Sequence, residues 1–385
     1  MKVLFLRSNP VDPDSRVEKE VKSLLEVGYF VEIFCWDRES NHEIIEEKKY
    51  IDGYECAIYR IGIRSVYGAG FKKNLLPLIK FQLAIMRFLK TRYSRYDVLH
   101  ACDFDTCFTG FHIAQKYGLK VIYDVFDYYA DSFNVPVILR NIIVKLDHGL
   151  MEKSDALIIC SEERKKQIGN VKQNNTYIIH NSPDEVEFFE KTCSTGKDKM
   201  KIGYVGILND GRMIPEMLEV VSEHEMFELH IAGFGKFENL VKKYSNEKNN
   251  IIFYGKIPYN QTLKLEHECD VLTAIYDPSI ANHKYAAPNK FYEALMLGKP
   301  LIMCKGTGFS DVVERYDIGK IIFYSKESLC IGFNEIYQNL AWYKSKKMIE
   351  QELYHHYFSW ETMKKRLLEI YMRLENDCVV KENGK

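Results

Sequence analysis

The sequence predicts an α/β protein with two Rossmann-like domains that face a cleft, and three observations support this fold class. The 385 residues suffice for two domains of ordinary size. Short apolar runs alternate with amphipathic helical patterns, as in parallel, doubly wound sheets. The alternation is interrupted by the polar stretch Lys191–Lys201 and then starts again, so we expect a linker there. Ligands of such sheets bind at the carboxyl ends of the strands.

The first half of the chain opens with a βαβ pattern. Lys2–Leu6 is an apolar run that predicts a buried strand, and Ser15–Val27 carries apolar residues at helical spacing. Gly28 ends this helix, and Val31–Cys35 is the next strand. Further strands are predicted at Cys56–Ile61, Val98–Ala101, Val121–Val125, Ala156–Cys160 and Tyr177–His180.

The second half repeats this order of elements. Each predicted strand is again a short apolar run, and the residues from about 328 to 374 have a helical pattern. The strands are predicted at Ile202–Val205, Glu228–Ala232, Ile251–Tyr254, Val271–Ala274, Pro300–Met303 and Lys320–Phe323.

Composition argues against several classes of protein. The 53 Lys and Arg residues balance 54 Asp and Glu, so the chain is not a generally polybasic nucleic-acid binder. None of the ten cysteines forms a Cys-x-x-Cys pair, which argues against zinc ribbons and thioredoxin-like sites. Many cysteines lie in apolar runs, as expected of buried, reduced thiols in a cytosolic protein. No apolar run reaches the roughly 18 residues that a membrane-spanning helix needs.

The strongest chemical signal is a helix start in the second half of the chain. Pro288 suits the first turn of a helix, and Gly298 marks its end. Lys290 in the first turn opposes the helix dipole, which is reasonable if an external anion such as a diphosphate binds there. Glu293, one turn further on, could accept hydrogen bonds from ribose hydroxyls. An ordinary surface helix with a stray charge pair would explain the same residues.

Two glycine-bearing loops follow strands of the same half. Gly206 follows the strand Ile202–Val205 and would let a ligand approach the backbone closely. Arg212 supplies a guanidinium fork that matches a phosphate. Gly233 and Gly235 form a second loop, for which a plain tight turn is the simpler interpretation. Because both loops and the helix start lie at carboxyl ends of strands, together they predict a ligand site.

These motifs resemble family 4 glycosyltransferases, which are retaining enzymes of the two-domain GT-B fold. The resemblance implies an acceptor-binding domain over residues 1–190 and a nucleotide-sugar-binding domain over 200–345. It also implies that a helical segment, 346–385, packs back on the N-terminal domain. The motifs that carry it are Ser15-Arg16-Val17, His180-Asn181-Ser182-Pro183-Asp184, Gly203-Tyr204-Val205-Gly206, Pro288-Asn289-Lys290 with Glu293, Gly298 and Pro300, and Phe358-Ser359-Trp360-Glu361.

The resemblance also implies roles for single residues. Arg212 matches the basic residue that contacts the donor diphosphate. Glu293 matches the second glutamate of a Glu-x7-Glu motif, which holds the nucleotide ribose. Three positions depart from the family pattern, with Tyr285 at the first glutamate, Ile207 at an arginine and Phe126 at a histidine. The implied donor-binding residues are Gly206, Arg212, Gly233, Gly235, Asn289, Lys290 and Glu293.

The acceptor side is expected to include Arg16, Asp103 and Asp127. Asp127 is the nearest candidate to orient or deprotonate an acceptor hydroxyl, so we predict Asp127 and Glu293 as catalytic residues. A helix cap before Tyr128 would also explain Asp127. The pair Asp103 and Asp105 could ligate a divalent cation. In this position it resembles a turn and helix start instead, so we predict no metal site.

A basic stretch lies between residues 56 and 96, which contain nine Lys and Arg and no Asp or Glu. Residues 74–89 have an amphipathic helical pattern, in which Lys73, Lys80 and Arg87 share one stripe. Leu75 and Ile79 are among the apolar residues that fill most of the other side. Such a helix is typical of attachment to an anionic membrane surface. A helix that packs on the sheet and exposes a basic face would look the same.

We therefore expect a cytoplasmic glycosyltransferase, attached peripherally at the inner face of the plasma membrane and active in cell-surface polysaccharide or glycolipid biosynthesis. It would transfer a sugar from a nucleotide-sugar co-substrate to a hydroxyl of a glycan or lipid-linked acceptor, without a cofactor, a metal or nucleic acid. One alternative is a nucleotide-sugar 2-epimerase on the same fold. Another is a non-catalytic sugar-nucleotide-binding partner subunit, suggested by Tyr285, Ile207 and Phe126.

Overall fold

The computed structural model describes residues 1–66, 71–132, 137–186 and 199–383, with no side chains described for 71, 72, 137 and 378–383. Its contacts divide the chain into two units. Unit 1 is Met1–His180 together with Met363–Lys385, and unit 2 is Asn181–Thr362. Most of the expected linker, 191–201, lies outside the described residues. No helix among the described residues combines the length and apolar character that crossing a bilayer requires.

Unit 1 contains an eight-stranded sheet with the order β3-β4-β2-β1-β5-β6-β7-β8. All neighbouring strands are parallel except β3 and β4. The strands are β1 (Lys2–Arg7), β2 (Phe30–Asp37), β3 (His42–Ile51), β4 (Tyr54–Gly62), β5 (Val98–Cys102), β6 (Lys120–Val125), β7 (Ala156–Ile159) and β8 (Thr176–Ile178). The helices are α1 (Ser15–Glu26), α2 (Phe71–Arg92), α3 (Phe104–Tyr117), α4 (Tyr129–Ser132), α5 (Val137–Lys153) and α6 (Glu162–Ile168).

Unit 2 contains a six-stranded parallel sheet with the order β11-β10-β9-β12-β13-β14. Its strands are β9 (Met200–Ile207), β10 (Phe227–Phe234), β11 (Ile251–Phe253), β12 (Val271–Ala274), β13 (Leu301–Cys304) and β14 (Gly319–Ile322). Its helices are α7 (Ile214–Glu223), α8 (Glu238–Glu247), α9 (Tyr259–Glu268), α10 (Ala281–Lys284), α11 (Asn289–Leu297), α12 (Ser310–Tyr316), α13 (Lys326–Gln338), α14 (Leu340–Ser345) and α15 (Lys347–Leu353).

The last helix, α16 (Trp360–Asn383), belongs to unit 1 from Met363 onward. Residues 346–362, which the sequence grouped with this helix, belong to unit 2 instead. The fold class of two parallel, doubly wound sheets and a returning C-terminal helix is confirmed. The antiparallel strand β3 was not predicted, because His42–Ile51 is largely exposed and therefore lacks an apolar run.

Helices cover both faces of the sheet in unit 1. Buried residues of α2, α3 and α5 form one core with one face of the strands, as Phe81 does where it stacks on Trp36. On the other face, Phe5 of β1 stacks on His100 of β5, and His100 Nδ1 lies 2.7 Å from the Tyr371 hydroxyl of α16. All eight cysteines whose side chains are described have free thiols, and seven of them are buried.

Candidate functional site

Two glycines meet at the carboxyl ends of neighbouring strands in unit 2. Gly206 of β9 pairs in register with Gly233 of β10. A Cβ atom on Gly233 would lie 1.8 Å from the carbonyl oxygen of Gly206, and the φ of Gly233 is +144°. A Cβ on Gly206 would lie 3.0 Å from Lys290 Nζ. Neither position therefore accepts a side chain without a shift, and Lys290 reaches the strand ends.

The loops after β9 and β10 are bound to each other. Leu208 N donates to Phe234 O at 2.8 Å, and Lys236 N donates to Asn209 Oδ1 at 2.9 Å. A Cβ on Gly235 would lie 2.6 Å from the same Asn209 oxygen. Gly235 is thus required for packing between the loops, and the loop after β9 is held in place.

Arg212 lies further along the loop after β9 and is positioned by an aromatic ring. Its guanidinium carbon lies 3.5 Å from the ring centroid of Tyr276, which follows β12. Its Nη1 atom is buried and has no hydrogen-bond partner among the described residues. Burial and the Arg212 charge lower the pKa of nearby His283 to about 4, so this imidazole is neutral at pH 7. A buried cationic nitrogen without a partner can bind an anion.

The start of α11 contributes the second cation. Pro288 precedes the first helical residue, Asn289, which is exposed, and Gly298 ends the helix with φ +63°. Lys290 Nζ lies 5.5 Å from the ring centroid of Tyr204, beside Gly206. The structure thus brings Gly206, Gly233 and Lys290 together, as the sequence predicted for an anion site near this helix start.

Glu293 is 3% exposed, and its neighbours include Glu266, which the sequence analysis did not single out. The Tyr259 hydroxyl and the Glu266 carboxyl lie beside Glu293, and burial, followed by the Glu293 charge, raises the pKa of the Tyr259 hydroxyl. Burial raises the pKa of Glu266, the Glu293 charge raises it further, and Lys290 opposes both. A Glu266 carboxyl that keeps its proton can donate a hydrogen bond to Glu293. A signal existed, because Thr262, Leu265 and Glu266 are spaced to lie on one face of α9.

In unit 1, Asp103 fixes the loop after β6. Its Oδ1 atom accepts hydrogen bonds from the backbone amides of Phe126 at 2.9 Å and Asp127 at 3.2 Å. Its Oδ2 atom accepts one from Arg7 Nη1 at 2.6 Å. Burial raises the pKa of Asp103 to about 7. With both oxygens engaged, Asp103 supports the acceptor-side loop predicted from the sequence and does not present a free carboxylate.

Asp127 is the exposed carboxylate of this loop. Its side chain is 57% exposed, and Oδ1 lies 3.2 Å from Nη2 of the buried Arg164. The same nitrogen donates to Phe126 O at 3.3 Å. The loop is therefore held by Asp103 through its amides and by Arg164 through a carbonyl. Asp127 is accessible to a hydroxyl from solvent, whereas its backbone is fixed.

Arg16, predicted on the acceptor side, is buried in unit 1. Its guanidinium donates to Asp124 Oδ1 at 2.7 Å, to Glu20 Oε1 at 3.1 Å and to the backbone oxygen of Ile179 at 3.0 Å. Its Cζ atom lies 4.5 Å from the ring centroid of Phe126, and the corresponding distance for Arg7 is 4.1 Å. The side chains of Asp124 and Glu20 pair with Arg16 in the core, so it supports Phe126 instead of facing an acceptor.

Residues 186–371 match the family model for glycosyl transferases group 1. Among curated proteins, no sequence matches this chain. Among solved structures, sucrose-phosphate synthase from Thermosynechococcus elongatus is 17% identical, with a TM-score of 0.78 over 98% of this chain and 100% of that one.

Two further structures have nucleotide sugars bound. Anabaena HepE in complex with UDP-glucose is 12% identical, with a TM-score of 0.69 over 97% of this chain and 100% of that one. An E. coli trehalose-6-phosphate structure bound with UDP-2-fluoro glucose is 9% identical, with a TM-score of 0.72 over 96% and 98%. At these identities, the likeness concerns the fold. The resemblance seen in the sequence is confirmed at this level: the chain has the GT-B fold, and its residues 186–371 match the glycosyl transferases group 1 model.

Proposed function

We propose that this chain is a retaining glycosyltransferase that transfers a sugar from a nucleotide sugar to a hydroxyl of a glycan or lipid-linked acceptor. The group 1 domain in residues 186–371 supports sugar transfer. The UDP-glucose and UDP-2-fluoro glucose complexes of similar folds support a nucleotide-sugar donor and make UDP the first nucleotide to test. The proposed setting is cytoplasmic biosynthesis of cell-surface polysaccharide or glycolipid.

The observation that carries the proposal is the convergence of two cations on the strand ends of unit 2. Arg212 offers a buried Nη1 without a hydrogen-bond partner among the described residues, and Lys290 Nζ lies at Gly206. The amides at the start of α11 are close to Lys290, and a helix N-terminus favours anions. Two positive charges and a helix N-terminus fit the two phosphates of a nucleoside diphosphate. Glu293 is our candidate for the ribose hydroxyls.

During transfer, the bond between the anomeric carbon and the diphosphate oxygen breaks, and a bond from that carbon to the acceptor oxygen forms on the same side. Negative charge grows on the departing diphosphate, where Arg212 and Lys290 stabilise it electrostatically. The acceptor hydroxyl loses its proton, and Asp127 is our candidate to orient the hydroxyl or accept the proton. No step requires a protein-bound metal.

Binding of UDP and of uridine to Arg212 variants tests the diphosphate assignment. We expect Arg212→Ala to weaken UDP binding by about 1.5–3 kcal/mol, as for a lost charged hydrogen bond, and to affect uridine little. Arg212→Lys should recover part of the affinity, because a point charge replaces a planar fork. Calorimetry measures both ligands. Equal losses for UDP and uridine would show that Arg212 has a structural role only.

Product analysis tests the reaction type. A glycosyltransferase releases one nucleoside diphosphate for each sugar joined to an acceptor, and the linkage keeps the anomeric configuration of the donor. Incubation of the full chain with nucleotide sugars and candidate acceptors, followed by NMR of the product, measures both quantities. Conversion of the donor sugar to its 2-epimer would support the epimerase alternative. Donor binding without turnover across acceptors would support the non-catalytic alternative.

A further inference from the structure

Two helices of unit 1 expose apolar side chains at the same spacing. On each helix the exposed positions follow the pattern i, i+1, i+4 and i+8, near its amino end. Leu76 on α2 is 61% exposed, and Ile138 on α5 is 85% exposed. We call these two sets the twin stripes. They are Leu75, Leu76, Ile79 and Leu83 on α2, and Ile138, Leu139, Ile142 and Leu146 on α5.

The twin stripes are not the core-facing sides of their helices. Phe81 and Phe88 of α2, and Leu150 and Met151 of α5, are buried in the core of unit 1. At 100° per residue, the stripe on α2 lies on the side opposite Phe81 and Phe88, whereas the stripe on α5 extends from roughly 20° to roughly 120° away from Leu150. Leu75 and Ile79, which the sequence placed with the apolar residues of α2, are both exposed and so do not share the buried side of Phe81 and Phe88. A surface helix ordinarily pairs one apolar side with a polar one, so an apolar outer side indicates a further partner.

Topology places both stripes at the same edge of the sheet. Helices α2, α3 and α5 cover one face, and α3 packs against both of the others. Each helix connects parallel strands and therefore runs antiparallel to them. The amino-terminal halves of α2 and α5 thus lie near the carboxyl ends of the strands. Asp103 and Asp127 lie at that edge too, because they follow β5 and β6.

The charge around the stripes is positive. Some bases of the stretch 56–96 are neutralised by neighbouring strands, since Arg60 pairs with Glu47 and Arg95 with Glu32. Helix α2 contains no acidic residue between 71 and 92. Its exposed Lys73, Lys80, Arg87 and Lys90 have no ion-pair partner within the described part of the chain.

We propose that the twin stripes form a docking face for an anionic lipid bilayer. The Leu and Ile side chains would enter the boundary between head groups and acyl chains, and the basic residues of α2 would contact lipid phosphates. A second copy of the chain fits less well, because a two-fold contact through the twin stripes would bring the basic residues of two α2 helices into one interface with no acidic residue of α2 to offset them. Docking at this edge would bring Asp127 towards a lipid-linked acceptor.

Co-sedimentation of the full chain with vesicles tests the docking face. The vesicles contain phosphatidylcholine alone or mixed with phosphatidylglycerol, at two salt concentrations. We expect binding to the anionic vesicles that weakens as salt rises. The double variant Leu76→Ser, Ile138→Ser should lower the partition constant at least tenfold. Ile331→Ser is the matched control, since Ile331 is 60% exposed on α13 of unit 2, and it should bind like the wild type.

A variant with reversed charges on α2, and a measurement of whether the chain dimerises, complete the test. Replacing Lys73, Lys80 and Arg87 by Glu together should abolish vesicle binding. The proposal is overturned if the wild type sediments with neither kind of vesicle. It is also overturned if the wild type and the Ser double variant bind the anionic vesicles equally. A concentration-dependent dimer, seen without vesicles, that the double variant dissolves would overturn it too. UDP affinity should be unchanged in all of these variants, so failure of docking is distinguishable from failure of the proposed function.

Discussion

Gly233→Ala should destabilise unit 2 severely, because the new methyl group meets the backbone. The Cβ would lie 1.8 Å from Gly206 O, which is 1.2 Å inside the 3.0 Å that real Cβ contacts essentially always keep. Relief requires β9 and β10 to separate at their carboxyl ends. Overpacking of this kind costs about 1–3 kcal/mol, and backbone strain at the φ of +144° adds about 1–3 kcal/mol. We therefore expect a loss of about 2–6 kcal/mol.

Two other glycines provide the comparison. Gly255 also has a positive φ, +66°, but a Cβ there meets nothing within 4 Å, so Gly255→Ala should cost only about 1–2 kcal/mol. A Cβ on Gly206 would meet the flexible end of Lys290 at 3.0 Å. Gly206→Ala should therefore cost less stability than Gly233→Ala, while it displaces the Lys290 ammonium and weakens UDP binding.

Urea unfolding of the full chain measures these losses. Hydrogen exchange of the β9 and β10 amides assigns the loss to the strand ends, since separation of the strands should lower their protection. Calorimetry with UDP measures the effect of Gly206→Ala on binding. If Gly233→Ala proves no more destabilising than Gly255→Ala, the close approach of β9 and β10 described above is incorrect.

Three further variants test buried polar groups. Glu266→Gln keeps a hydrogen-bond donor beside Glu293 and should preserve UDP affinity, whereas Glu266→Leu should lower it in calorimetry. Burial raises the pKa of Glu350 from 4.5 to about 8, so the wild type should lose stability relative to Glu350→Gln as pH rises through this range, by up to about 1.4 kcal/mol per pH unit. Urea unfolding of both proteins at pH 5 and pH 8 measures this loss. A difference in unfolding free energy that does not change with pH would contradict the prediction. Tyr371→Phe leaves the buried Nδ1 of His100 without its partner and should cost about 1–3 kcal/mol of unfolding free energy, which an unchanged urea midpoint would exclude.

The sequence predicted the strands that are buried on both faces, because each is a short apolar run. It missed β3, where exposed charged residues are ordered by pairing with β4, and such pairing leaves no apolar pattern. The boundaries of the units were harder to predict. Residues 346–362 belong to unit 2 because they pack against it, and the helical periodicity of their sequence does not show which unit they pack against.

The candidate site was predictable where a residue type is required by backbone geometry. Gly206 and Gly233 are examples, since their strand ends leave no room for a Cβ. Arg16 was misplaced because its burial depends on two acidic partners. Asp124 is distant in sequence, and Glu20, one helical turn away, was not recognised as facing Arg16. Glu266 was missed because a single glutamate on a helix is ordinarily exposed, and its helical spacing with Thr262 and Leu265 does not reveal that it lies beside Glu293.

The return of α16 to unit 1 has a consequence for how the protein is made. The ribosome delivers the strands β1–β8 first, but Tyr371 becomes available to His100 only after all of unit 2 has been synthesised. Until then α16 does not cover the sheet face around Phe5, and the charged network of Arg16, Glu20 and Asp124 is not yet buried by it. Unit 2 is continuous in the chain and can fold as it emerges. The half of the protein that is translated first is therefore the half that is completed last, and chaperones have the longest access to it.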